Sequence, residues 1–191
     1  FDVATGGGVR VGGNFSFATQ DETAFGCDDG ILTLNGLGTF AAPQWLEVGG
    51  EDLLLPTAPG TVPGANGNFA IGKLVVGQLA QGTVVELADA IDNGNRGSFE
   101  ALYLPGFGGD GLEILGGSAL NIGSLNVYAF LDGEWVHLNA LFGPGISSID
   151  FDTLVSDPEA DGRIVIPEPA TVLLLAPAVV LLRRRRRRPV R

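Results

Sequence analysis

A chain of 191 residues with eleven basic and twenty-two acidic side chains, a formal charge of −11, is large enough for one packed domain and has the wrong sign for a nucleic-acid surface. Its one cysteine, Cys27, excludes an internal disulfide, so packing and backbone ladders must supply the stability. Thirty glycines and eleven prolines among 45% hydrophobic residues describe short strands and tight turns rather than a disordered chain.

The charge is unevenly spread. Residues 1–163 hold twenty-one acidic residues against Arg10, Lys73, Arg96 and Arg163, a balance of −17, whereas 164–191 hold Glu168 against seven arginines. An acidic body suits a solvated extracellular surface. The sequence opens at Phe1 without the methionine, charged region and apolar stretch of a secretory leader, so upstream sequence carrying one is expected if the chain is exported.

Along the body one phrase recurs, two or three alternating apolar positions closed by glycine. It appears at Val9-Arg10-Val11-Gly12, Ile31-Leu32-Thr33-Leu34-Asn35-Gly36 and Leu46-Glu47-Val48-Gly49, then at Leu74-Val75-Val76-Gly77, Leu112-Glu113-Ile114-Leu115-Gly116 and Leu120-Asn121-Ile122-Gly123. The alternation is strand periodicity and the glycine supplies the turn, but the intervals are too uneven for a repeat length. Within 84–91 a helical face of Val85, Ala88 and Ile91 competes with a strand through Val84-Val85-Glu86-Leu87. Residues 49–68, with Pro56, Pro59 and Pro63, read as a long irregular connection.

Residues 124–131 and 134–141, separated by Asp132-Gly133, form a hairpin signal, because Asp-Gly favours a type I′ turn. On the second strand Trp135, His137 and Asn139 share one face. These features predict an all-β body, 1–147, read as the C-terminal coils of a right-handed parallel β-solenoid with a C-terminal β-hairpin cap. An antiparallel β-sandwich or jelly roll is the alternative. An acidic linker, 148–166, and a tail, 167–191, with one short hydrophobic helix complete the expected organisation.

Few residues offer chemistry. His137 is the only histidine and sits mid-strand, which favours a structural role, and Cys27 reads as a small buried hydrophobe. Asp28-Asp29, Glu51-Asp52 and Asp150 with Asp152 are the carboxylate pairs that glycoside cleavage would draw on. Two calcium-loop spacings fall short. Asp89, Asn93, Gly94 and Glu100 have Ile91 where an oxygen ligand belongs, and Asp157, Glu159, Asp161, Gly162, Ile164 and Glu168 lie among helix-breaking prolines, Pro158 and Pro167. No catalytic residue, metal ligand or cofactor is therefore assigned.

The tail is more specific. Pro167-Glu168-Pro169 forms an extended point, and 170–182 is uncharged, with Ala170, Leu173, Leu174, Leu175, Val179, Val180, Leu181 and Leu182 as its apolar bulk. At about 1.5 Å per residue that stretch reaches roughly 20 Å as a helix, short of the roughly 30 Å hydrocarbon core. Arg183, Arg184, Arg185, Arg186, Arg187 and Arg188 then form a basic stop that belongs on the cytoplasmic side.

These three parts, in this order at the C-terminus, resemble the PEP-CTERM sorting signal of Gram-negative, exopolysaccharide-producing bacteria. The resemblance implies export, transient anchoring in the inner membrane, and processing near Pro167 by an exosortase. The stretches Arg10-Val11-Gly12-Gly13-Asn14-Phe15-Ser16-Phe17, Ile91-Asp92-Asn93-Gly94-Asn95-Arg96-Gly97 and Leu125-Asn126-Val127-Tyr128-Ala129 through Trp135-Val136-His137-Leu138 are similar to extracellular, β-helix-like passenger proteins of planctomycete type that carry this tail. The expected function is a non-enzymatic cell-surface or matrix protein, with exosortase and exopolysaccharide as partners and no nucleic acid. The alternatives are a carbohydrate-binding or adhesin module using Trp45, Tyr103, Tyr128 and Trp135, and a polysaccharide-degrading enzyme.

Overall fold

The computed structural model describes residues 1–19, 21–58, 68–91, 100–157 and 159–166. The sorting motif, the apolar segment and the arginine cluster lie outside the described residues. Among the described residues no helix is long and apolar enough to cross a membrane. Among the described residues the protein is all-β, about 39% strand, without a helix of seven or more residues.

The strands arrive in rounds. β1 (Gly8–Val11) opens the chain, followed by β2 (Ile31–Leu34), β3 (Gln44–Glu47) and the short β4 (Gly50–Glu51). Next come β5 (Lys73–Val76), β6 (Val84–Ala88) and β7 (Glu100–Leu104), then β8 (Leu112–Ile114), β9 (Ala119–Asn121) and β10 (Asn126–Leu131). β11 (Glu134–His137), β12 (Ser148–Asp150) and β13 (Arg163–Val165) finish the described chain. Consecutive strands of a round go to three different sheets, and each lies beside its counterpart from the previous round. The first sheet is β1-β2-β5-β8, every pair parallel. The second runs β3-β6-β9-β13 in parallel, with β12 antiparallel at its end. In the third, β7 and β10 are parallel, flanked by antiparallel β4 and β11.

The six glycine-closed phrases all fall on strands, and their alternation separates two faces. Inward residues stack rung on rung: Leu32, Leu74 and Leu112 in the first sheet, Val85, Leu120 and Ile164 in the second, Leu102 and Val127 in the third. All eight are buried in one hydrophobic cluster. The steps Val9↔Leu32, Leu32↔Leu74 and Leu74↔Leu112 are unequal because the connections at the corners differ in length. The corners are tight: at Gly77, φ is +86° and a β-carbon would lie 1.9 Å from Ser118 Oγ.

One open choice is resolved and two boundaries differ from the sequence expectation. Within 84–91 the strand reading holds, as β6 over Val84–Ala88, since Val85 and Leu87 face the core while Glu86 faces out. The hairpin forms, with φ positive at both Asp132 and Gly133, but β11 ends at His137 and Leu138–Leu141 turn as a 3-10 helix. There Asn139 continues the ladder by side chain, its Oδ1 accepting from Val127 N–H at 2.9 Å and its Nδ2 donating to Leu125 O at 2.9 Å.

Residues 148–166, expected as a linker, are folded into the body. β12 and β13 extend the second sheet, while Phe151, Val155, Ala160 and Ile164 are buried. Gly162 N–H donates to Ile114 O at 3.1 Å, so this segment covers the edge left by β8. Its acids face outward, which disguised a capping element as a solvated linker. The hairpin therefore covers only the edge of the third sheet.

Candidate functional site

The lone histidine lies on the outer face of the third sheet. β7, β10 and β11 each place one ring in a single cross-strand row, Tyr103, Tyr128 and His137. The tyrosine rings stack at 5.1 Å between centroids, and Tyr128 meets His137 at 4.7 Å. Residues 52–58 cross over this row and are tied to it. Tyr103 hydroxyl accepts from Leu53 N–H at 2.8 Å and donates to Leu54 O at 3.2 Å, while Trp135 Nε1 donates to Ala58 O at 3.0 Å.

Asp52 is the centre of this latch. Its carboxylate accepts from Tyr128 hydroxyl at 2.9 Å, Asn126 Nδ2 at 2.7 Å and Leu54 N–H at 3.0 Å. A carboxylate only accepts, so it orients the Asn126 amide with its nitrogen toward Asp52. Asn126 Oδ1 is left facing His137 Nε2 at 3.0 Å, which assigns the proton to Nε2. Burial lowers the His137 pKa, partly opposed by the charge of Asp52. Burial raises that of Tyr128, with the Asp52 hydrogen bond and charge adding to it, and Tyr103 is pushed up to about 12, mainly by burial.

Neutral His137 with Nε2 donating, and protonated tyrosines, form a satisfied network that holds the 52–58 strap onto the sheet. Three of the four aromatics expected to line a glycan groove are thereby used. Tyr103 and Tyr128 are 0% and 3% exposed, Trp135 is half-buried beneath the strap, and Trp45 is half-buried on the second sheet.

The other sequence candidates are dispersed. Asp28 and Asp29 are exposed in the turn before β2, Glu51 and Asp52 diverge between solvent and latch, and Asp150 and Asp152 are exposed on the C-terminal cap. In the first calcium spacing Asp89 is exposed, Glu100 is buried in β7, and Asn93 and Gly94 lie outside the described residues. The second is occupied otherwise. Asp157 Oδ1 accepts from Glu159 N–H at 2.9 Å, Asp161 Oδ1 accepts from Gly117 N–H at 3.0 Å, and Ile164 lies in the core. Among the described residues no group of three or more His, Cys, Asp or Glu converges as a metal site. Cys27 is buried, which together with Asp28 pushes its thiol up to about 11, away from the reactive thiolate.

A second feature lies on the outer face of the first sheet, a shallow groove of about 410 Å3 across all four strands. Arg10, Thr33, Lys73, Val75 and Glu113 line it, with Asn35 and Gln78 at one end. Lys73 Nζ pairs with Glu113 Oε2 at 2.5 Å. The sequence signal was slight: Arg10 and Lys73 occupy outward positions of two strand phrases, but only the register puts them on one face.

No protein-family model, curated protein or solved structure matches the chain.

Proposed function

We propose that the protein is an exported, non-enzymatic surface or matrix protein, a three-faced parallel β-solenoid delivered and processed through its C-terminal tail. The observation that carries the sorting reading is the order of Pro167-Glu168-Pro169, the uncharged 170–182 stretch and the Arg183 to Arg188 cluster. In this reading the apolar segment and arginines hold the precursor at the inner membrane while an exosortase acts near Pro167. The solenoid reading is supported by two successive rounds, β5-β6-β7 and β8-β9-β10, that visit the three sheets in one order with parallel pairing between rounds. An acidic body held together by stacked aliphatic rungs, with its single histidine committed to a latch, suits a display role more than acid-base chemistry.

The test is intact-mass spectrometry with cell fractionation, on the tagged protein in an exosortase-positive host and in an exosortase-deleted one. Loss of the tail in the positive host alone is the expected result. An intact C-terminus with membrane retention in both hosts refutes processing and leaves a plain tail anchor.

A further inference from the structure

The groove on the first sheet takes no part in the latch. We propose that it binds an anionic saccharide, a run of uronate-type sugar units, laid across the strands. This inference rests on the surface role proposed above and names its ligand class.

Charge supports it first. Residues 1–163 contain only four cations against twenty-one acids, yet Arg10 and Lys73 both line this one groove. Its single acidic lining residue, Glu113, is engaged by Lys73. Arg10 is exposed and makes no ion pair among the described residues, so its guanidinium is available for two-pronged contact with a carboxylate.

Shape supports a polymer. Neighbouring strands lie about 4.8 Å apart, so the four rungs offer a track of roughly 14 Å. The lining mixes aliphatic Ile31 and Val75 with hydroxyl and amide groups from Thr33, Asn35 and Gln78. Sugar rings match that mixture, presenting C–H faces to the aliphatic positions and hydroxyl edges to the polar ones. An acidic peptide fits less well. Peptides that add to sheets take their affinity from a free strand edge, whereas this is a sheet face whose backbone groups are already paired.

The test is native gel retardation of the full chain in detergent micelles, with polygalacturonate, dextran or polyglutamate cast into the gel. Because arginines bind any polyanion, Arg183 to Arg188 are all changed to glutamine in the background used. Polygalacturonate is expected to retard this protein and dextran to leave it unmoved. Polyglutamate should act more weakly than polygalacturonate. Arg10→Gln should weaken the retardation about tenfold, the loss of one charge-assisted contact, and Lys73→Gln should weaken it as well by leaving Glu113 uncompensated in the groove. Arg10 is exposed, so an unchanged melting temperature certifies that variant as folded. Retention of binding in either variant overturns the assignment, as does absence of retardation or equal retardation by dextran or polyglutamate. Processing is read separately: an unprocessed tail with a binding groove refutes sorting alone, and a processed tail without binding refutes the groove alone.

Discussion

Asp52→Ala isolates what the latch contributes to stability. Tyr128 is 3% exposed, so the variant strands its hydroxyl without an acceptor, at about 1–3 kcal/mol. The bonds from Asn126 and Leu54 are lost as well, but Asp52 is only half-buried and water replaces part of what they supplied. Together these give about 2–4 kcal/mol, a fall in melting temperature of about 5–15 °C for a domain of this size. Tyr128→Phe removes donor and orphan together and should cost only about 1 kcal/mol. The double variant should therefore be more stable than the sum of the singles implies. Urea unfolding of the four proteins, followed by fluorescence of Trp135 beneath the strap, gives the cycle. An Asp52→Ala cost under about 0.5 kcal/mol, or strict additivity with Tyr128→Phe, would refute the latch.

Three further expectations follow from the same geometry. Cys27 and Tyr103 have folded pKa values raised from 9.0 and 10.0 to about 11 and 12, so the folded state holds their protons more tightly than the unfolded chain. Their contribution is intact below pH 9 and is lost as pH rises through 9–12; Cys27→Ala should flatten the start of that decline in a pH-resolved melt. His137 works in the opposite direction. Its lowered pKa keeps its contribution intact above 6.5 and removes it as pH falls through the folded value, and His137→Gln should abolish that acid arm. Phe151→Ala should cost about 3–5 kcal/mol in a chemical melt, because Phe151 is 0% exposed, whereas a substitution in a solvated linker would stay within about 0.5 kcal/mol.

Strand positions were legible because side-chain alternation is local. Val9-Arg10-Val11, Leu74-Val75-Val76 and Leu112-Glu113-Ile114 each announce an inner and an outer face without reference to any neighbour. Asp132-Gly133 announced its turn for the same reason. The 148–166 segment was misread because four aspartates and a glutamate outweighed the spaced apolar positions Phe151, Val155 and Ile164, and composition does not say which side of a turn faces the core. The latch was hidden altogether. Asp52 lies far along the chain from Asn126 and Tyr128, and nothing in its surroundings marks it as their partner.

By itself the sequence determined where most of the strands lie, which of their side chains alternate, the hairpin turn and the three-part composition of the tail, all properties of residues within a few positions of one another. Tertiary structure decided which strand lies beside which, and through that register it brought Asp52 to Tyr128, Arg10 and Lys73 to one groove, and the acidic C-terminal segment onto the edge of β8. The physical reason is that parallel neighbours are joined through connections of unequal length, so their pairing is chosen by the stacking of buried side chains across the whole core.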